Sequence, residues 1–304
     1  MKSRILKSIF FSSVGLRWWW IIIFYFAIVI ATIAIIVGPL AFFLSLINLA
    51  PQPGKPVTGW SSIIGSIITL ITGYSAFLIG THLAQRRLRK SNLSELGLFM
   101  GKKWIYDLIL GIGLGTLIVS FSTLVSWLMG WYQFIGFSWD FRPSAILLPA
   151  FVMSFIAIIQ SPLLEEVIFR GFIFQTLSDR WGLRPAIFIS SLLFGIAHLT
   201  SLDDFAWWAA IISTFLAGLM FAQAYLCHKS LWIPIGIHFG WIFSGRLLND
   251  IGGSSDNTLL LASKVEGPAL IVGASGGGAS LLELVGVGLV SLILWYISKS
   301  NKYR

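Results

Sequence analysis

Long apolar stretches, separated by short polar segments, recur along the whole chain. Crossing a bilayer as a helix takes about 20 predominantly apolar residues. Eight stretches meet that need, at about 18–48, 59–82, 105–131, 144–178, 183–201, 206–227, 231–249 and 279–298. The first runs from Trp18 to about Ala50, too long for the apolar region of a secretory signal. Trp18, Trp19 and Trp20 open it as an interfacial belt. The fourth is unusual, because its apolar character continues through Gln160, Glu165, Glu166 and Arg170 to Leu177. As one helix it would be ~50 Å long against a ~30 Å hydrocarbon core, so it must tilt strongly or project into the cytoplasm. The pattern predicts an all-α, polytopic transmembrane bundle.

Composition agrees with the pattern. Of the 304 residues, 57% are hydrophobic and 11% charged, against about 25% charged in a soluble domain. The formal charge of +9 sits in short clusters between apolar runs. Nucleic acid is therefore not an expected partner, and acidic lipid headgroups are. One set of loops and ends collects 17 of the 21 lysines and arginines; Lys55, Arg142, Arg246 and Lys264 fall on the other side. By the positive-inside rule both termini are cytoplasmic.

The segment from Asn249 to Ala279, rich in Gly and Ser, is expected to be a non-cytoplasmic loop that partly re-enters the membrane. No soluble domain or internal repeat is visible. The chain divides into a two-span region (1–91), a core (92–298) and a short basic tail (299–304). Cys227 is the single cysteine, so no intrachain disulfide forms.

Charged groups at membrane depth are costly and mark function. Asp107, Arg246 and Glu283 lie within about a turn of a span end and can reach the interface. His82 and His228 are likewise expected to be solvated. Glu165, Glu166, Arg170, His198 and His238 remain. Glu166 and Arg170 stand four apart, the spacing of a helical ion pair, which could be purely structural. Glu165 points about 100° away from Glu166 and needs another partner. The turn between the fourth and fifth spans centres on Gly182, with Pro185 in the next helix's first turn. Glu166 and His198 are each 16 residues from Gly182, which puts them at one depth, roughly 24 Å from the hairpin tip. His238 lies in WIPIGIHFGW, where Gly236 and Gly240 permit close helix approach.

A carboxylate withdrawn from water is a stronger base. Glu165 could take a proton from water, His198 could position that water, and His238 could stabilise an oxyanion. This would be peptide hydrolysis without a covalent intermediate. One glutamate and two histidines also match a zinc ligand count, so Glu165, His198 and His238 are the ligands if a metal is used. The HExxH pattern is absent, and the expectation is no cofactor. A proton-coupled transporter or a scaffold with the same buried residues are the non-enzymatic alternatives.

EEVIFRG (Glu165–Gly171) resembles the EExxxR motif of the CPBP intramembrane proteases, the CAAX-protease and bacteriocin-processing (Abi) group. FGIAH, from Phe194 to His198, resembles that family's second motif, and HFGWI, from His238, its third. NLSELGLFM and EGPALIVGASGGGASLLEL also look like family segments, so the resemblance covers roughly 92–297. It implies a helical bundle with a cavity open to the cytoplasm, Glu165 as base, His198 as helper and His238 near the oxyanion. It also implies a membrane-associated protein or peptide substrate, lipidated in the prenyl-protein branch. The third motif ordinarily carries Asn or Asp four residues after its histidine. Ile242 stands there in this chain. A lost oxyanion donor is typically worth ~10²–10³ in rate, so the alternative is a weakly active or non-catalytic scaffold or immunity-type protein.

Overall fold

The computed structural model describes residues 11–12, 15–50, 60–141, 144–199, 207–248, 250–251, 261–272 and 280–301. Helix occupies each of the eight expected stretches: α1 (Trp18–Leu46), α2 (Trp60–Ala84), α3 (Trp104–Leu128), α4 (Ser144–Glu166), α5 (Phe174–Trp181), α6 (Leu183–Ala197), α7 (Trp207–His228), α8 (Trp232–Leu248) and α9 (Leu281–Asn301). Among the described residues, five helices are long and apolar enough to cross a membrane. They are α1, α2 with the turn that follows it, α3, α7 and α9. The chain is an integral membrane protein, a helical bundle.

The expected lengths need correction at three places. The fourth stretch is not one straight α-helix: α4 stops at Glu166 and a π-helical turn, Val167–Ile173, separates it from α5. The fifth ends at Ala197, after 15 residues, which is about 22 Å. The seventh has 17 residues.

The residues fall into two compact units. The first joins the chain up to Leu96 with Gly171–Ala186. A minimal hairpin pairs β1 (Phe11–Ser12) with β2 (Gly15–Leu16) ahead of α1. Buried Ile21, Tyr25 and Val29 of α1 face α2, and Tyr25 Oη lies 3.3 Å from Thr81 Oγ1. Tyr25 also stacks on Phe172 at 3.9 Å between ring centroids. Arg89 bonds Asp179 (2.8 Å) and Gln175 (3.2 Å). The opposite side of α1 exposes Ile30, Ile35 and Phe42, as a lipid-facing surface should.

The second unit comprises Gly97–Arg170 and Ile187–Arg304. Its main seam joins α3 to α8. Gly111 and Gly115 of α3 face Gly236 and Gly240 of α8 with backbone against backbone. A Cβ on Gly236 would run into Leu108, Gly111 and Ile112, and one on Gly115 into Ile237 and Trp241. Small residues at these points permit the approach. Around the seam Ile118, Phe194, Met220, Phe221, Ile237 and Val290 form the core.

This unit also holds a sheet that an all-helical reading misses. β3 (Tyr132–Phe137) pairs antiparallel with β5 (Leu261–Val265), and β4 (Asp250–Ile251) pairs parallel on the other edge of β5. The register runs from Tyr132↔Val265 to Phe137↔Leu261, with a bulge between Phe134 and Gly136. Part of the loop expected to be irregular is thus strand, followed by one helical turn at Ala269–Val272. The rest of that loop, and residues 302–304 of the basic tail, lie outside the described residues.

Gly115→Leu should force α3 and α8 apart and destabilise the protein by ~1–3 kcal/mol. Gly113→Leu, whose side chain would meet nothing within 4 Å, should cost less than about 0.5 kcal/mol. Unfolding of the two variants in detergent checks this; equal losses would refute the seam.

Candidate active site

The glutamate pair stands at the end of α4, between two irregularities. Pro162 has no N–H for the carbonyl of Ile158, one turn back. The π-helical turn then begins at Val167, a feature frequent at functional sites. Glu165 and Glu166 diverge as their spacing requires. Glu166 is fully buried, while the side chain of Glu165 is 24% exposed. Of the two, Glu165 is the one open to solvent.

Each group the sequence singles out is in this neighbourhood. Arg170 Nη1 donates to Glu166 Oε1 at 3.0 Å, and Arg170 Nη2 to the Gly218 carbonyl at 3.3 Å. The same Glu166 oxygen lies 3.1 Å from His238 Nδ1. His238 reaches it from α8, buried in the bundle. His198 follows the last residue of α6, and its Nδ1 is 2.8 Å from the Phe194 carbonyl. The equal depth counted from Gly182 is realised: His198 Nε2 is 3.4 Å from Glu165 Oε2. His238 Nε2 is 3.9 Å from that oxygen.

These contacts dictate where protons sit. A carbonyl or a carboxylate can only accept, so Nδ1 of each imidazole carries hydrogen. Both rings then present Nε2 to Glu165. At 3.4 and 3.9 Å neither makes a short direct hydrogen bond, and Glu165 Oε2 has no hydrogen-bond partner among the described residues. That oxygen is available as a base. Its twin, Oε1, accepts a hydrogen bond from Ser161 Oγ.

Aromatic rings hold the charged groups in place. The Arg170 guanidinium lies 4.2 Å over Phe194 and 4.9 Å over Phe221, a cation–π arrangement. Phe221 stacks on His238 at 5.0 Å, and Phe194 lies 4.4 Å from the His198 ring. Phe194, a sequence candidate, thus touches both Arg170 and His198. Phe221 and Ser161 are absent from the sequence candidates. Ser161 sits one turn before Glu165, a spacing that could have flagged it; nothing in the sequence distinguishes Phe221 from any other core aromatic.

Three groups set aside as reaching the interface are buried or paired within the protein. Asp107 is buried, and its Oδ1 lies 2.8 Å from His228 Nδ1. His228 is therefore paired, because α7 ends where α3 begins. Glu283 is buried as well. Near Ile242, Ser244 Oγ donates to Thr116 Oγ1 (2.9 Å), and Trp241 packs on the core. Asn249 lies outside the described residues. No group of three or more His, Cys, Asp or Glu among the described residues is arranged to hold a metal ion. Cys227 packs with its thiol 3.5 Å from the Leu294 carbonyl.

The family described as "Type II CAAX prenyl endopeptidase Rce1-like" matches residues 147–244. The chain is also similar to "Putative membrane peptidase YdiL" of Bacillus subtilis (strain 168), 36% identical over 87 residues. That alignment covers 29% of this chain and 33% of the relative, so the chain spans about a third of the curated relative it matches. The matched family segment contains the glutamate pair, Arg170, both histidines and every contact among them. Through residues 147–244 the chain is thus similar to the CAAX protease (CPBP) family of membrane proteins.

Proposed function

We propose that this chain is an intramembrane endopeptidase that cuts a membrane-associated protein or peptide with glutamate-activated water. The observation that carries the reading is the convergence of His198 Nε2 and His238 Nε2 on the unbonded Glu165 Oε2. A water bridging Glu165 and His198 gives its proton to Oε2 as its oxygen attacks the scissile carbonyl carbon. The tetrahedral oxyanion forms beside His238. Its Nε2 donates only when the ring carries a proton there, Nδ1 being held by the Glu166 carboxylate. Collapse breaks the C–N bond, Glu165 returns its proton to the leaving amine, and a carboxylic acid and an amine are released.

The carboxylates and Arg170 leave the site one negative charge when both rings are neutral. One imidazolium balances it, and a balanced site is the less costly one to bury. The relatives' description as a prenyl endopeptidase and a membrane peptidase supports a substrate held at the membrane, with a lipidated C-terminal tail as one class. We further propose that both termini and the mouth of the site face the cytoplasm, as the lysine and arginine distribution favours.

Glu165→Gln keeps size and hydrogen bonding but removes the base, and it should lower cleavage by ~10²–10⁴. The measurement compares N-terminal peptides of membrane proteins in cells carrying wild type or the variant. Cut termini present equally in both would reject the peptidase and favour a scaffold. With such a substrate in hand, cleavage should survive treatment with a metal chelator. Loss that zinc restores would instead assign Glu165, His198 and His238 to a metal.

Orientation is checked in a Cys227→Ser background with an impermeant maleimide on intact cells. Arg87→Cys should react only after permeabilisation, and Lys264→Cys should react without it. The reverse pattern would overturn the assigned topology.

A further inference from the structure

Ser161 breaks a habit of hydroxyls in this protein's helices. Thr32, Thr69, Ser75 and Thr214 each donate to the carbonyl one turn back, at 2.8, 2.8, 2.9 and 2.6 Å. That is what a hydroxyl in an apolar helix ordinarily does. Ser161 donates forward, to Oε1 of Glu165 one turn ahead. Its place just before Pro162 and one turn before the acid aims the hydroxyl along the helix face that carries Glu165. The other oxygen of that carboxylate faces the two imidazoles.

We propose that Ser161 is a positioning residue which fixes the Glu165 rotamer and divides its two oxygens, Oε1 held by the serine and Oε2 left as the base. The inference rests on the peptidase reading for its consequence in catalysis, though not for its geometry. A carboxylate on two rotatable side-chain bonds beyond Cβ would otherwise present either oxygen to the histidines, in several orientations. Holding Oε1 reduces those to one before substrate arrives, which is how preorganisation raises rate. Ser161 also favours the ionised form of Glu165, because it donates to the charge. It touches neither histidine, so its effect runs through Glu165 alone.

Two measurements test this, on full-length protein in detergent. The first needs no substrate. A hydrophobic carbodiimide, dicyclohexylcarbodiimide, attacks carboxyl groups in their protonated form, and tandem mass spectrometry localises the adduct. At pH 7, Glu165 in Ser161→Ala should be labelled at least about threefold faster than in wild type, since the donor to the ionised form is gone. Ser161→Thr keeps the hydroxyl and should label like wild type. Ser161→Cys, with a weak donor of similar size, should fall between, and it stands in where the alanine variant does not fold. Equal labelling in all of these overturns the proposal.

The second uses the membrane protein whose cut terminus is lost in Glu165→Gln. There Ser161→Ala should lower kcat on the order of tenfold with KM unchanged, and Ser161→Thr should restore it. A loss the threonine fails to restore, or a change confined to KM, rejects the positioning role. Cleavage that continues in Glu165→Gln rejects the peptidase instead, and the labelling result then decides the role of Ser161 by itself.

Discussion

The site depends on one carboxylate oxygen that serves two partners. Oε1 of Glu166 takes Arg170 Nη1 at 3.0 Å and lies 3.1 Å from His238 Nδ1, so one fully buried acid ties α4 and the turn after it to α8. Removing a single member of such a cluster leaves an uncompensated charge in a dry interior, at a cost of several kcal/mol. The pair is retained because it orients; as a source of stability a buried ion pair is poor. Arg170, bonded to the Gly218 carbonyl and covered by Phe194 and Phe221, adds α7 to the same knot. The neighbouring Glu165 is thereby held on the accessible side without joining the cluster itself.

Backbone contact sets the height of His238. The α3–α8 seam sets backbone against backbone on both sides of the histidine, Gly236 against Gly111 and Gly240 against Ile112. Sliding α8 along α3 would drive side chains into backbone at several points together. A rigid seam of this kind suits a site in which a shift of about 1 Å would be costly to rate. On the other side, His198 stands at the very end of α6 with its ring tethered to the Phe194 carbonyl. One imidazole is fixed by helix packing, the other by a hydrogen bond within its own turn.

Much of this was legible in the chain before any coordinates. Each of the eight apolar stretches holds helix among the described residues, because a bilayer leaves a strong and simple signal. The residue count from Gly182 put Glu166 and His198 at one depth, with Glu165 one residue farther, because an α-helical rise is nearly constant. What escaped notice was whatever depends on direction more than on spacing. WYQFIGF and LASKV gave no sign that they pair, since two short strands far apart in sequence are specified by each other. Asp107 and His228 looked interfacial because each is near a helix end, and only the packing of α3 and α7 shows that those ends meet. Phe221 is one of 24 phenylalanines, and its stacking on His238 has no signature in the sequence.

Ile242 ties these points together. The position one turn after His238 carries no donor, Ser244 is engaged by Thr116, and Trp241 packs into the core. In the proposed mechanism the side chains at hand to face a developing oxyanion, among the described residues, are the imidazoles. Because Glu166 and the Phe194 carbonyl claim Nδ1 of the two rings, a neutral ring turns a bare nitrogen toward the substrate. In the proposed mechanism His238 would act as the donor only as an imidazolium, with the Glu166 carboxylate holding its Nδ1. In the proposed site, which lacks the amide, Glu166 therefore does more than pair with Arg170: it also holds Nδ1 of the histidine that would take over the missing donor's task.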